Sequence, residues 1–538
     1  MNKYIKIVFA IAASFVLQSC EDYLDREPLR IIGSPLVYED ESLAEAYLSD
    51  IYNNIYNPFS LRYNDAPTYY MTDNCTDNGR TKSGWISSQS VVVPGLMSAT
   101  RNPGEMSAWK YRAIRKTNEY IENVGASTAL SEGFKTQTIA EARWLRAKFY
   151  FEMVKRYGDM PLITKAQTLE DELLLPRTPA SDIWDFIDKE LDEIDDILPY
   201  KAKIENGRAT KEACWALGSR AMLYAQRWAK CIDYSKRIID SENFVLNPSY
   251  SELFASKGGD AEVIFEILFS GKTTKGHRFD VYNLPFSYAA LWGSQTNPTQ
   301  ELVDAYYMSN GLPITDPNSG YDPKHPYENR DPRFYATILY HGAEFKGKVM
   351  DTSSPDGPDA INKSGLHTIT GYYLRKHLDE TLPKGVSWEE CTISWKVFRL
   401  AEILLNCAEA ENELNGPTDL VYNCIKPIRG RLNMDNFEAG LSKEVMREKL
   451  RHERRLETAY EDLRWWDLIR WRKSVEVLHG KYFHGVVVTK EEDGTVKYDM
   501  SYVVDNRPKQ VFLEKHYLQP IPQGERDKNP KLTQNKGY

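Results

Sequence analysis

The densest cluster of residues that could do chemistry lies between positions 450 and 472. Six arginines alternate there with five acids: Arg451, Arg454, Arg455, Arg464, Arg470 and Arg472 with Glu453, Glu457, Glu461, Asp462 and Asp467. Such a cluster could bind an anion or act in catalysis, or it could form a structural lattice of ion pairs. Arginine makes planar, bidentate pairs with carboxylates, which tolerate partial burial. The acids nearly balance the arginines in place, so we predict a structural lattice and not a nucleic-acid surface.

Other catalytic signatures are missing from the sequence. It contains no G-x-S-x-G elbow, P-loop, H-E-x-x-H pair or dinucleotide fingerprint. A carboxylate pair at glycosidase spacing carries no information in a chain with 77 acids. The segment 316–322 has the alternating oxygens of a calcium loop but places Tyr327 at the twelfth position, so we predict Asx turns instead. The sequence therefore predicts neither an enzyme nor a cofactor.

Six cysteines follow the N-terminal region without a C-x-x-C spacing, at Cys75, Cys214, Cys231, Cys391, Cys407 and Cys424. They form no zinc-like cluster, and the nine histidines are scattered singly, so no metal site is predicted. Cys214 with Cys231, and Cys407 with Cys424, could form disulfides across helical hairpins. All six could equally be small buried apolar residues.

Aromatic residues are the other chemically useful group, with 12 Trp and 34 Tyr in the chain. Many lie in segments that are rich in Gly, Asn, Ser and Pro and lack helical periodicity: Tyr69, Tyr70, Trp85, Tyr282, Phe286, Tyr288, Trp292 and Trp388. An aromatic plane flanked by amides and acids suits the apolar face of a sugar ring. The alternative is that these rings fill the core of an irregular region.

The N-terminus has the pattern of a lipoprotein export signal. Lys3 and Lys6 precede the apolar run Ile7–Leu17, which is shorter than the roughly 20 residues that span a bilayer. The run ends at Leu-Gln-Ser-Cys, a lipobox-like sequence whose thiol, Cys20, would carry the lipid. An ordinary signal peptide with an incidental cysteine is the alternative. We predict a signal peptide at 1–19 and an acidic, proline-containing tether at 20–38.

The remaining chain, 39–538, is predicted to be a single mainly α domain. Apolar residues three or four apart predict helices over about 39–257 and 395–478, for example at Ser42–Tyr56 and Ile183–Leu198. Gly158, followed by Pro161, predicts a helix end, and Thr210 predicts a helix start. Antiparallel pairs with short connections are the expected packing. The segment at about 258–394 predicts an irregular, loop-rich insert with a few short strands. The net charge of −9 argues against nucleic acid and anionic membrane surfaces as partners.

Several motifs together resemble those of the SusD/RagB family. Its R-x-E-R-x-x-E and R-x-x-D-L-x-R-W signature is matched at Arg451, Glu453, Arg454, Glu457, Arg464, Asp467, Leu468, Arg470 and Trp471. Glu461-Asp462 stands where the family usually has glycine. Further family motifs follow in order at positions 141–147, 157–162, 208–211, 260–266, 329–333, 398–402 and 529–538. The resemblance therefore covers nearly the whole chain.

This resemblance implies an α-rich fold with four tetratricopeptide-like helix pairs on one side and ligand-carrying loops and small strands on the other. It implies a lipid-anchored protein at the surface of the outer membrane, which captures an oligosaccharide and delivers it to a SusC-like TonB-dependent transporter. A RagB-like peptide binder of the same uptake architecture is the first alternative. A glycoside hydrolase and a purely structural helical scaffold are two others.

The resemblance also places the ligand in two loop regions that family members use for an aromatic arc. We predict Trp85, Trp292 and Tyr288 as stacking platforms. Asp73, Asn74 and Arg80 are predicted to contact sugar hydroxyls.

Overall fold

The computed structural model describes residues 34–538, with gaps at 60, 64–65, 69–70, 83–87, 102, 272–275, 290–291, 362–366, 386–389 and 505–508. Helices dominate the described chain. The α-helices are Ser34–Val37, Glu41–Tyr52, Tyr111–Ala126, Glu132–Tyr157, Ala180–Ile194, Lys211–Tyr224, Trp228–Ile239, Tyr250–Ala255, Phe279–Asn283, Gln300–Ala305, Pro332–Thr337, Leu400–Asn415, Asp419–Gly430, Lys443–Glu457, Arg464–Arg470, Ser474–Leu478 and Gln523–Lys528. The helix Ser34–Val37 lies within the range 20–38, which was predicted to be a tether. The predicted mainly α fold is confirmed.

The strands are short and pair two by two. They are β1 Leu61–Tyr63, β2 Ala66–Thr68, β3 Gly79–Arg80, β4 Val263–Ile267, β5 Asn297–Pro298, β6 Ile338–Leu339, β7 Glu344–Phe345, β8 Lys348–Val349, β9 Tyr373–Leu374, β10 Trp395–Arg399, β11 His484–Lys490 and β12 Val496–Val503. All six pairs are antiparallel: β1 with β2, β3 with β5, β4 with β10, β6 with β9, β7 with β8 and β11 with β12.

Local signals explain most helix boundaries. Gly158 adopts φ +68° after the long helix Glu132–Tyr157, so this helix ends where the sequence predicts. The side chain of Thr210 accepts a hydrogen bond from the amide of Ala213, as expected of an N-cap. The first long helix instead starts one residue before Ser42, because Asp40 is the residue that accepts from the amide of Leu43 (3.0 Å).

Consecutive helices pack against each other and enclose one large core. Glu132–Tyr157 contacts both Tyr111–Ala126 and Ala180–Ile194, and Lys211–Tyr224 packs on Trp228–Ile239. The helix Leu400–Asn415 joins this layer from the far end of the sequence. Strand β10 ends directly before it and pairs with β4, which closes the insert onto the helical scaffold. The insert therefore shares the scaffold's core.

The stretch at 450–471 forms two helices. The first ends at Glu457 and the second begins at Arg464. Between them, Tyr460 (φ +58°) and Asp462 (φ +61°) adopt left-handed backbone conformations. Asp462 does so where the family has glycine, and its carboxylate accepts a hydrogen bond from the amide of Thr72 (2.7 Å). That contact stabilises a conformation that costs a non-glycine residue about 1 kcal/mol or more.

The predicted ion-pair lattice is present, and it is buried. Glu457 lies at its centre with no exposed surface and accepts from Arg333 (3.0 Å), Arg399 (2.8 Å) and Arg431. Burial alone would raise the pKa of Glu457, but the three guanidinium groups outweigh it and hold the pKa well below its usual range. Four more buried carboxylates form ion pairs with basic side chains. The pairs are Glu453 with Arg333 and Arg429, Glu461 with Arg399 and Lys376, Glu409 with Arg470, and Asp467 with Arg454 and Arg470. The lattice therefore belongs to the interior scaffold.

All six cysteines that follow the N-terminal region are buried, and none of them forms a disulfide within the described residues. Cys214, for example, donates to the backbone oxygen of Leu191. The segment 316–322 forms the predicted Asx turn, in which Asp316 accepts from the amide of Asn318 (2.8 Å).

We expect the lattice to make stability fall in acid. Glu409 forms a bidentate ion pair with Arg470. Burial alone would raise the pKa of Glu409, but the effect of Arg470 is larger and lowers this pKa from 4.5 to about 2. A carboxylate with a lowered folded-state pKa stabilises the protein fully above its unfolded pKa, and this contribution is lost as the pH falls towards the folded pKa. Glu409 alone would contribute about 3 kcal/mol, lost between about pH 4.5 and 2. Urea unfolding of the parent and of Glu409→Gln between pH 4.5 and 2 tests this contribution. The difference between their free energies of unfolding should shrink as the pH falls. A difference that stays constant over this pH range would contradict the prediction.

Candidate functional site

The two regions predicted to carry the ligand lie next to each other. Strand β3 pairs with β5, five residues after Trp292, with Arg80 opposite Asn297. The side chain of Thr299 donates to the backbone oxygen of Asp77 (2.7 Å), and the side-chain amide of Asn74 donates to Thr296 (3.2 Å). Segments more than 200 residues apart in the sequence therefore lie side by side in the fold.

The ion-pair lattice holds the first of these segments. Asp77 accepts two hydrogen bonds from Arg464 (3.0 and 2.9 Å) and pairs with Arg455 (3.1 Å). Burial would raise the pKa of Asp77, but the two arginines hold it well below its usual range. The hydroxyl of Tyr460 donates to the backbone oxygen of Asn78 (2.9 Å). The segment 72–80 is thus fixed to the residues that connect the two lattice helices.

Asp73, Asn74 and Arg80, predicted to contact ligand hydroxyls, lie inside the protein. Asp73 is fully buried, and it accepts from the side chain of Asn78 and the amide of Tyr460, both at 3.0 Å. Burial raises the pKa of Asp73 to about 6. Arg80 donates to Gln510 (2.7 Å), and its guanidinium lies over an aromatic ring.

Direct contact with a ligand is therefore not available to these three side chains in this structure, because protein atoms enclose their polar groups. What they do is shape the segment that leads to Trp85. Trp85 itself lies outside the described residues.

Trp292 is at the surface, with 45% of its area exposed. Its ring lies 6.4 Å from the ring of Tyr282, which is buried. The residue after Trp292 lies close to another backbone segment: a Cβ at Gly293 would lie 2.6 Å from the backbone oxygen of Leu284, so only glycine fits there. Trp292 therefore has both an open face and a fixed support.

Tyr288 comes from the same loop but points inward. Only 8% of it is exposed, its hydroxyl donates to the backbone oxygen of Phe345 (2.8 Å), and the two rings meet edge to face at 5.3 Å. Burial raises the pKa of its phenol. The residues beside it are more open: Phe286 is half-buried, and the amide of Ser287 donates to Asp359 (3.1 Å).

A cleft of about 410 Å³ opens beside the same segments. Its lining is charged and aromatic, and consists of Asp77, Glu301, Asp304, Arg455, Val477, Lys481, Tyr482 and Phe483. Glu301 accepts from the backbone and ring of His484, and Tyr482 is 48% exposed. Burial raises the pKa of Asp304. This cleft was not predicted from the sequence, because its walls come from four separate parts of the chain. The only signal was the pair of acids three residues apart, Glu301 and Asp304, which follow β5.

Residues 261–538 match the model of the SusD family. The chain belongs to the SusD family. Residues 22–223 match a second model, described as starch-binding associating with outer membrane. Within the described residues, no helix is long and apolar enough to cross a membrane.

Similar proteins cover almost the full chain. A SusD-like protein of Formosa agariphila is 26% identical over 517 residues, which span 89% of this chain and 91% of that protein. A SusD-like protein from Bacteroides fragilis has a solved structure with a TM-score of 0.80 and 29% identity, covering 95% of this chain and all of that one. A SusD-like carbohydrate binding protein from Bacteroides fragilis gives a TM-score of 0.79 at 25% identity, covering 92% of this chain and 99% of that one.

Proposed function

We propose that this protein is a surface-exposed, lipid-anchored protein of the outer membrane that captures an oligosaccharide. It would pass the oligosaccharide to a partner TonB-dependent transporter of the SusC type. Membership in the SusD family supports the association with the outer membrane and a glycan as ligand.

The observation that carries the proposal is the exposed ring of Trp292. A half-exposed tryptophan on a rigid aromatic base is a costly surface feature unless a ligand covers it, and its flat face suits the C–H face of a sugar ring. Gly293 fixes its position, so little order is lost when a ligand binds. We propose Trp85 as a second stacking platform. Tyr288 would support the loop that carries Trp292.

A glycan array probed with the mature protein tests this function. We expect binding to a restricted set of oligosaccharides with a shared linkage. Any glycan that binds is then incubated with the protein, and reducing ends are measured. No release is expected of a binding protein, whereas steady release would favour the glycoside hydrolase.

The charged cleft favours a second candidate, a peptide ligand. Carboxylates at Glu301 and Asp304 and cations at Arg455 and Lys481 could pair with the charged groups of a peptide. A peptide library probed beside the glycan array distinguishes the two ligand classes.

The lipid anchor gives a prediction at Cys20. Cys20→Ala should leave the folded domain intact but release it from the membrane, because the acyl chains supply the anchoring energy at about 0.8 kcal/mol per buried methylene. Fractionation after labelling with a radioactive fatty acid measures both effects. Label in the variant, or unchanged retention in the membrane fraction, would contradict the assignment of Cys20. Co-purification of a TonB-dependent transporter with the tagged parent tests the partner.

A further inference from the structure

Three potential metal ligands meet in the interior of the protein. His277 and Cys391 form an isolated antiparallel bridge, in which the amide of His277 donates to the backbone oxygen of Cys391 (2.9 Å). Asp280 lies one helical turn after His277, in the helix Phe279–Asn283. One ligand atom from each of the three side chains lies within 4.8 Å of the others. The backbone therefore fixes all three donors relative to each other.

The three side chains are enclosed. None of them is more than 1% exposed. The rings of Phe59 and Phe269 each lie 4.8 Å from the ring of His277. Such a dry, aromatic shell strengthens electrostatic interactions inside it and keeps solvent from competing for a bound ion.

The carboxylate of Asp280 joins the other two ligands. Oδ1 of Asp280 accepts from the amide of Asp379 (2.7 Å), which orients the carboxylate. Oδ2 is buried and lies 3.9 Å from Nδ1 of His277. The thiol of Cys391 donates a hydrogen bond to this carboxylate. An imidazole, a carboxylate and a thiol therefore converge on one buried point, and a cation bound there would replace the thiol proton.

We propose that His277, Asp280 and Cys391 bind a zinc ion. Imidazole, carboxylate and thiolate are together the donor set that Zn²⁺ takes, and a tetrahedral site needs such donors about 3.3–3.8 Å apart. A contraction of the cluster by about 1 Å reaches this spacing. Three protein donors leave one coordination position for water.

The charges support the same assignment. A zinc ion with one carboxylate and one thiolate is a neutral unit, and a neutral unit costs less to bury than an isolated charge. On binding, the S–H bond of Cys391 breaks, an S–Zn bond forms and the proton passes to solvent. Any proton on Asp280 is released in the same way. Nδ1 of His277 exchanges its contact with the amide of Phe279 (3.2 Å) for the metal.

Cobalt substitution tests the proposal, because Co²⁺ reports its ligands by absorption. The mature protein is stripped with a chelator under partly unfolding conditions, refolded and titrated with Co²⁺ and then Zn²⁺. We expect one equivalent of cobalt, a thiolate-to-cobalt charge-transfer band, loss of the band when zinc displaces cobalt, and a higher melting temperature with either ion. A folded parent that binds no cobalt, or binds it without the thiolate band, overturns the proposal.

Variants assign the ligands. Cys391→Ser should abolish the charge-transfer band, and Asp280→Asn should weaken zinc binding at least tenfold. Cys214→Ser is the matched control, since Cys214 is a buried thiol with only a backbone carbonyl as its hydrogen-bond partner in this structure, and it should keep the band and the stoichiometry. A band that survives in Cys391→Ser overturns the proposal. If Cys391→Ser does not fold, the spectrum of the parent still decides.

Discussion

Replacing Glu457 with alanine should lower the free energy of unfolding by about 3–5 kcal/mol, as expected when one partner of a buried charge cluster is removed. Glu457 is fully buried and accepts from Arg333, Arg399 and Arg431. Its loss leaves three guanidinium groups facing each other across a cavity, with less negative charge to balance them. Urea denaturation monitored by circular dichroism measures the change.

Glu448→Ala is the matched control, because Glu448 is on the same helix and also pairs with an arginine. Its partner is Arg451 at 2.9 Å, but 66% of the Glu448 side chain is exposed. Exposed pairs contribute little, so a loss under about 1 kcal/mol is expected. Ligand affinity of the folded fraction should hardly change in either variant. A large loss of affinity in Glu457→Ala at an unchanged melting temperature would mean that the lattice is a binding site.

Replacing Trp292 with alanine should weaken oligosaccharide binding by about 2 kcal/mol or more, roughly 30-fold, which is typical of an aromatic anchor. The ring is half-exposed, so removing it takes little from the core and the protein should melt normally. Trp85→Ala should have a similar effect if Trp85 is the second platform. Calorimetry and thermal melts of the same samples measure affinity and stability.

Tyr200→Ala is the control for removing an exposed ring. Tyr200 is 46% exposed, close to the 45% of Trp292, and lies among the scaffold helices. It should leave glycan affinity unchanged. If Trp292→Ala binds as tightly as the parent, or melts early, Trp292 fills space and the stacking surface is elsewhere.

Some features of the ion-pair lattice could be predicted from the sequence, and others could not. The alternation of arginines and acids was enough to predict a structural lattice of ion pairs, because the two signs nearly balance within the stretch. Its break into two helices was not predicted from the sequence. The break depends on Asp462, whose partner Thr72 is 390 positions away. The periodicity of apolar residues indicates local structure only, so it cannot predict a contact between residues so far apart in the sequence.

The candidate site shows the same limit more strongly. Trp292 was predicted to be a stacking platform, and its ring is exposed. Asp73 was predicted to contact sugar hydroxyls, but it is buried in a segment that Arg464 and Arg455 hold through Asp77. Polar residues can be buried when hydrogen bonds from distant segments satisfy them, and sequence spacing does not reveal those segments.

The most direct test of the central claim is calorimetric titration of the mature protein with oligosaccharides selected on the array and with peptides of similar size. We predict a saturable heat with one oligosaccharide per chain and no saturable heat with the peptides. The Trp292→Ala variant should lose most of the oligosaccharide heat at the same concentrations. Saturable binding of peptides, with no oligosaccharide bound, would contradict the assignment of a glycan ligand.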